Sequence, residues 1–236
     1  MPSKKIVVLT GSGISAESGL STFRDSGGLW EGYDVHEVAS IEGWNANPKK
    51  VLEFYNLRRT QAAKALPNEA HFYLNRLEKK FKVVIITQNV DDLHERAGST
   101  DIIHLHGELR KACSELNSEE IVDIGNQNIR LGDLSKDGSQ LRPAIVWFGE
   151  MVPMIEVATL EVKTADYLIV IGTSLEVYPA ASLIHYAKDN IEKVIIDPSK
   201  PRMLPASEWR HIQKKATEGV PELVNEMLNN KEYEKN

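Results

Sequence analysis

The sequence predicts an α/β protein with a parallel β-sheet that helices cover on both faces. Short apolar runs rich in Val and Ile recur along the chain, which is typical of strands buried on both faces. Segments with helical spacing of apolar residues lie between most of these runs. The predicted strands span residues 5–10, 83–87, 102–107, 144–150, 167–171 and 193–198.

Composition limits the classes of partner. The chain has 236 residues, of which 42% are hydrophobic, and its net charge is −6. No basic stripe favours nucleic acid, and no apolar stretch approaches the roughly 18 residues that a membrane span needs. Cys113 is the single cysteine, which excludes an intrachain disulfide and favours a reducing compartment. We expect a cytoplasmic monomer without nucleic-acid or membrane partners.

The first strand runs directly into a glycine-rich turn. Gly11 and Gly13 follow it, and residues 15–18 have the serines and the early acid of a helix start. Strand, Gly-x-Gly-x-x-Ala and helix is the dinucleotide fingerprint, in which the glycines admit positive φ and close approach to a phosphate. A tight strand-to-helix turn with nothing bound has the same pattern, so the motif alone leaves both interpretations open.

Two insertions interrupt the sheet pattern. Residues 33–80, after the first strand, have helical periodicity, and no second strand ends in the ribose-binding acid of a dehydrogenase. Residues 109–144, after the third strand, are polar and contain a turn signal at 137–139. Because no second strand ends in the ribose-binding acid, a hydride-transfer domain is disfavoured. The last helix is predicted over 220–228.

Polar residues follow several predicted strands, where open α/β sheets bind ligands. They are Gln88, Asn89, Asp91, His106, Thr173, Ser174 and Asp197, and Gly172 directly precedes Thr173. With the turn of residues 11–24, the motifs Thr87-Gln-Asn-Val-Asp91, His106-Gly107, Val146-Trp-Phe-Gly-Glu150 and Gly172-Thr-Ser-Leu-Glu-Val177 occur in this order. Together they closely resemble the sirtuin family of NAD-dependent protein lysine deacylases, from about residue 4 to residue 223.

This resemblance implies two domains and an NAD site. A Rossmann-type domain would comprise residues 1–31, 81–108 and 145–236, and the insertions 32–80 and 109–144 would form a small domain. Asp197 stands where the family commonly has asparagine, and its charge would repel a 2′-phosphate, so we predict NAD over NADP. The residues implied to contact NAD are Gly11, Ser12, Gly13, Thr22, Phe23, Arg24, Gln88, Asn89, Asp91, Gly172, Thr173, Ser174, Asp197 and Ala216.

The resemblance also implies the chemistry. The acyl oxygen would attack the ribose carbon as nicotinamide leaves, and His106 would then take a proton from a ribose hydroxyl. Asn89 is the second implied catalytic residue. An imidazole with a pKa near neutrality suits a general base. His104 is expected to be structural.

The acyl group is predicted from the first insertion. Tyr55 and Arg58 lie three residues apart on a predicted helix and match the Tyr-x-x-Arg signature of sirtuins that remove succinyl and malonyl groups. Ala39 matches the small residue that widens the acyl pocket, and Val146 and Phe148 would line the lysine tunnel, alternating with residues that face away. Because a guanidinium can hold a carboxylate bidentately, we predict desuccinylation and demalonylation at least as efficient as deacetylation of acylated lysines in proteins or peptides.

One departure from the family concerns zinc. Most sirtuins carry two Cys-x-x-Cys pairs in the second insertion, whereas residues 109–144 contain only Cys113 and no histidine. One thiolate cannot form a tetrahedral site, so no bound zinc is expected. Two other functions stay open: transfer of ADP-ribose to protein by the same fold, and a non-catalytic NAD-binding regulator.

Overall fold

The computed structural model describes residues 3–21, 29–30, 32–199, 208–230 and 233, and strands dominate its centre. In chain order the strands are β1 (Lys5–Thr10), β2 (Leu29–Trp30), β3 (Tyr33–Asp34), β4 (Lys82–Thr87), β5 (Ile102–His104), β6 (Gly107–Ser114), β7 (Ile121–Asp123), β8 (Leu141–Ile145), β9 (Tyr167–Ile171), β10 (Glu192–Ile196) and β11 (Arg210–Ile212).

Seven α-helices lie within the described residues. They are α1 (Val35–Val38), α2 (Ile41–Ala46), α3 (Pro48–Lys64), α4 (Glu69–Leu77), α5 (Leu93–Arg96), α6 (Ile155–Lys163) and α7 (Ala216–Asn229). Short 3₁₀ helices span Ser12–Ile14, Ala16–Ser18 and Ala180–Tyr186. Among these described helices, none combines the length and the apolar composition needed to cross a membrane.

The six-stranded parallel sheet has the order β11-β10-β9-β1-β4-β5, which confirms the predicted fold class. The chain leaves β1 toward β4 and β5, and later returns to β9 on the other side. Thr10 pairs with Thr87 and with Ile171, so the carboxyl ends of β4, β1 and β9 are level. This reversal of strand order is the place where open α/β sheets form a ligand crevice.

Alternate residues of the central strands enter two separate cores. Ile6 and Val8 pack with α4 and α7 on one face, whereas Val7 and Leu9 pack with α6 and the 3₁₀ helix Ala180–Tyr186 on the other. All four side chains are essentially inaccessible to solvent. Burial on both faces explains why these strands are continuous apolar runs rather than alternating ones.

The two insertions pack against each other. Strands β7, β6 and β8 form an antiparallel sheet in that order, and its Leu109 joins Trp44 and Phe54 from α2 and α3 in a third core. The shared core explains how the polar second insertion is held. The domain boundaries themselves stay a prediction.

Several element boundaries differ from the prediction. Residues 15–18 do not begin an α-helix. Ser15 links the 3₁₀ helix Ser12–Ile14 to the 3₁₀ helix Ala16–Ser18, and Gly19 (φ 85°) then reverses the chain. The strand predicted over 144–150 ends at Ile145. It is followed by a turn that the hydrogen bond from Glu150 N–H to Trp147 C=O closes. The last helix starts at Ala216 rather than at residue 220.

Candidate active site

A cleft opens at the carboxyl ends of β1, β4 and β9, with α3 and the segment after β8 as its opposite wall. Most of the predicted site residues line it. From the sheet side these are Gly11, Ser12, Gln88, Asn89, Asp91, His106, Gly172, Thr173 and Ser174, and from the opposite wall Ala39, Tyr55, Arg58, Val146 and Phe148.

The glycine turn is built by the approach of two backbones. Gly13 N–H donates to Gly172 C=O at 2.9 Å, and a Cβ on Gly13 would lie 2.6 Å from Gly172 Cα. Gly11 has an ordinary φ of −123°, and Gly13 is not among the residues with positive φ, whereas Gly172 has φ 61°. The expectation of positive φ in this turn is therefore wrong. The glycines here allow the loops after β1 and β9 to touch.

A buried polar network joins the turn to the loop after β4. Asn89 Nδ2 donates to Ser15 Oγ, and Ser15 Oγ donates to Asp91 Oδ2, both at 3.1 Å. Asp91 Oδ1 accepts from Leu93 N–H at 3.2 Å. Burial raises the pKa of the Asp91 carboxyl, against the effect of these hydrogen bonds. Ser15 also lines the cleft, which the sequence does not predict because a serine at that point is typical of a helix cap.

His106 lies two residues beyond the end of β5. Its Nδ1 is 3.0 Å from Gln88 C=O, which fixes Nδ1 as the protonated nitrogen of the neutral ring and leaves Nε2 as the acceptor. Burial lowers the pKa of His106, and the Gln88 carbonyl opposes that shift only in part. Gln88 Nε2 in turn donates to Thr173 Oγ1 at 3.2 Å. The arrangement presents a neutral imidazole, as a general base requires.

His104 is not among the residues that line the cleft. Its Nε2 lies 2.7 Å from Glu95 Oε1, and its Nδ1 lies 3.2 Å from Asn89 C=O. Burial alone would lower the pKa of His104, but the Glu95 and Glu108 carboxylates and the Asn89 carbonyl together raise it. These contacts agree with a structural role behind the Asn89 loop.

The opposite wall combines apolar groups with two buried polar side chains. Tyr55 and Arg58 on α3 are 1% and 6% exposed, and both face the cleft. Phe148 N–H donates to Ala39 C=O at 2.9 Å, which joins the segment after β8 to the end of α1. Trp147 also lines the cleft, so the expected alternation of residues 146–148 is wrong because the strand has already ended.

Three described residues among the predicted site residues, Gly13, Asp197 and Ala216, do not line the cleft. Thr22, Phe23 and Arg24 lie outside the described residues. Gly13 is packed against Gly172, and Ala216 is the buried first residue of α7. Asp197 is buried just after β10 and accepts from Ser199 N–H at 2.8 Å, next to residues 200–207, which are not described.

A parallel sheet with polar loops at its switch point, faced by a second small core, defines a nucleotide-binding α/β protein with a two-walled cleft. The sequence profile of the Sir2 family matches residues 11–179, and the chain belongs to this family.

Known proteins agree with this assignment. The chain is 53% identical over 226 residues to an NAD-dependent protein deacylase of Bacteroides thetaiotaomicron, covering 93% of this chain and 96% of that protein. It also resembles a crystal structure of a Sir2 homolog–NAD complex (TM-score 0.85, 41% identity, 96% of this chain and 90% of that one). Sir2Tm bound to a propionylated peptide is similar too (TM-score 0.78, 29% identity, 95% and 93% covered).

Proposed function

We propose that this protein removes succinyl and malonyl groups from lysine side chains in an NAD-dependent reaction, at least as efficiently as it removes acetyl groups. The coarser activity, NAD-dependent protein deacylation, rests on membership of the Sir2 family and on relatives of that name at more than 50% identity. The preference for acidic acyl groups rests on the wall that carries Tyr55 and Arg58.

The buried Arg58 is the observation that carries the acyl preference. It is 6% exposed, it lines the cleft, and Tyr55 lies one helical turn before it. A guanidinium and a phenol are matched donors for a carboxylate, which only accepts hydrogen bonds. An acetyl methyl group would instead leave the cation opposite an apolar group, which costs affinity. A succinyl or malonyl group supplies the complementary charge.

The residues at the sheet side fit NAD. Asn89 and Asp91 are each 7% exposed and lie at the strand ends beside Gly11, Ser12 and the loop after β9. Their amide and carboxylate groups match the hydroxyls of a ribose and the carboxamide of nicotinamide. When bound, NAD supplies the ribose carbon that takes the acyl oxygen and the nicotinamide that leaves. Thr22, Phe23, Arg24, Asp197 and Ala216 stay proposed contacts from the family resemblance.

His106 is the proposed general base, with Asn89 as the second catalytic residue. The Gln88 carbonyl holds the Nδ1 proton, so Nε2 is the nitrogen that takes a proton from a hydroxyl in the cleft. Burial keeps the ring neutral by lowering its pKa. The imidazole therefore needs no prior deprotonation at neutral pH.

We also propose that the second insertion needs no zinc. Ser114 is inaccessible to solvent, and its hydroxyl contacts Asp137 Oδ2 at 2.5 Å and Ser139 Oγ at 2.7 Å. The same oxygen accepts from Leu116 and Asn117 N–H. These bonds tie the end of β6 to the turn before β8. Hydrogen bonding and the core shared with α3 can hold the insertion without a metal.

Product analysis tests the function. With a succinyl-lysine peptide and NAD, mass spectrometry should detect free lysine, nicotinamide and O-succinyl-ADP-ribose in equal amounts. ADP-ribosylated protein in place of free lysine would favour the transferase alternative. Absence of nicotinamide with every acyl peptide would favour a non-catalytic regulator. A reaction without NAD is the control.

A further inference from the structure

Trp147 touches the hydroxyl group on which the proposed acyl preference depends. Its Nε1 lies 3.0 Å from Tyr55 Oη, and both side chains are buried. We infer that Trp147 is a specificity-determining positioning residue, which orients the Tyr55 hydroxyl so that its proton is directed at an acyl carboxylate. This inference rests on the proposed function.

The direction of the Trp147–Tyr55 hydrogen bond follows from the atoms. An indole N–H can only donate, so Tyr55 Oη must be the acceptor. The phenol has a single proton, which is then left for a different partner. Within the described part of the chain, no hydrogen bond takes that proton, and Tyr55 lines the cleft beside Arg58. An incoming group in the cleft is the natural acceptor.

The phenol keeps this proton at any working pH. Burial raises the pKa of Tyr55 far above its ordinary value of 10, although the Trp147 bond and the Arg142 and Arg58 charges act to lower it. The hydroxyl is thus a permanent donor. A carboxylate accepts from it and from Arg58 together, whereas an acyl methyl group accepts from neither.

Trp147 is fixed in place by a second pair of side chains. The Arg142 guanidinium lies 4.2 Å from the centroid of the indole ring. Arg142 Nη2 donates to Glu150 Oε1 at 2.7 Å, and Trp147 N–H donates to Glu150 Oε2 at 2.8 Å. One carboxylate therefore anchors both the backbone of Trp147 and the cation that packs on its ring. The indole cannot turn away from Tyr55 without leaving the Arg142 guanidinium.

A phenylalanine at position 147 would keep an aromatic ring but lack the N–H group. The Tyr55 hydroxyl would lose its donor, its torsion would no longer be set, and the orientation of its proton would have to be fixed when the acyl group binds. The loss of orientation therefore lowers kcat/KM for an acyl group that accepts the Tyr55 hydroxyl proton. The ratio of kcat/KM for succinyl-lysine to kcat/KM for acetyl-lysine on one peptide is thus the sensitive readout.

A double-mutant cycle tests the inference. The ratio should fall about 3- to 10-fold in Trp147→Phe, the range expected for one neutral hydrogen bond, and by about tenfold or more in Tyr55→Phe, which removes a hydrogen bond to a charged group. In the double variant it should be no lower than in Tyr55→Phe alone. Trp44→Phe is the matched control, because its ring lies 5.7 Å from Trp147 but its Nε1 donates to Glu115, away from the cleft.

The outcomes separate the inference from the function. If Trp147→Phe leaves the ratio unchanged, or lowers it again in the Tyr55→Phe background, while Tyr55→Phe alone is selective, the inference is wrong and the proposed function stands. If Tyr55→Phe itself leaves the ratio unchanged, the Tyr55 proton takes no part in acyl selection and the inference is wrong, whereas the acyl preference still rests on Arg58 and is tested by its own substitution. Melting temperatures of all four variants check that each is folded.

Discussion

His106 is placed by a carbonyl and tuned by burial. The Gln88 C=O at 3.0 Å selects the tautomer, and the low polarity of the surroundings disfavours the imidazolium form. Because both influences come from the loops at the strand ends, the base is ready before any ligand binds.

The pH dependence of the reaction follows from the direction of this shift. Only the neutral ring is a base, and the pKa of His106 lies below the ordinary histidine value of 6.5, so protonation removes activity only at lower pH. The acid limb of kcat/KM should therefore have its midpoint below pH 6.5. A midpoint above pH 7 in a steady-state profile would contradict the assignment.

Replacing the base gives a direct measure of its role. His106→Ala should lose about 10²- to 10⁴-fold in turnover, the usual contribution of a general base. The exposed His185 provides the matched control, since His185→Gln lies outside the cleft and should retain wild-type turnover. Near-wild-type turnover of His106→Ala would remove the residue from this role.

The sequence predicts which residues lie at the cleft better than it predicts their side-chain partners there. Gln88, Asn89 and His106 follow apolar strands, and parallel topology brings such positions together. The sequence does not indicate a role in the site for Ser15 or Trp147, because their partners, Asp91 and Tyr55, are 76 and 92 residues away. Long-range side-chain pairing leaves no local pattern.

Among the secondary-structure elements, β6 depends on a glycine. Gly107 has φ 80° and pairs with Ile145 of β8, and a Cβ built on it would overlap the Ala144 carbonyl oxygen. This residue directly follows His106. The same glycine therefore sets both the turn that presents the base and the entry of the chain into the small sheet.

A pair of alanine substitutions separates backbone strain from steric overlap. Gly138 has φ 83° but nothing within 4 Å of an added Cβ. Gly138→Ala should cost about 1–2 kcal/mol of unfolding free energy for the left-handed backbone. Gly107→Ala should cost roughly 2–4 kcal/mol more because the carbonyl must move. Urea denaturation measures both, and equal costs would contradict the packing described for Gly107.

Element prediction succeeded where burial leaves a continuous pattern. Strands β1, β4 and β9 are apolar runs because helices cover both faces. The sequence does not predict strand β11, because Arg210-His211-Ile212 is a three-residue edge strand with one buried side chain. The α-helix expected at residues 15–18 does not form, because the serines that cap helices also occur in tight turns.

For the whole molecule, the decisive feature is that two distant insertions share one core. Leu109 of the second insertion and Trp147, which lies just after it, pack with Trp44 and Phe54 of the first insertion. Periodicity predicted each insertion separately, but their association could be anticipated only through the family resemblance. It creates the wall opposite the nucleotide loops, and so it brings Arg58 to the cleft.

The central claim is that Arg58 selects an acyl carboxylate, and the most direct test compares two substrates. Steady-state kcat/KM should be measured for one peptide carrying succinyl-lysine or acetyl-lysine, at saturating NAD, in the wild type, Arg58→Met and Lys49→Met. Lys49 is an exposed cation on the same helix, α3, and serves as the charge-matched control. We predict a wild-type succinyl-to-acetyl ratio of at least one, unchanged in Lys49→Met and lower by about tenfold or more in Arg58→Met. A wild-type enzyme that prefers acetyl-lysine, or an Arg58→Met variant that loses both activities equally, would contradict the account.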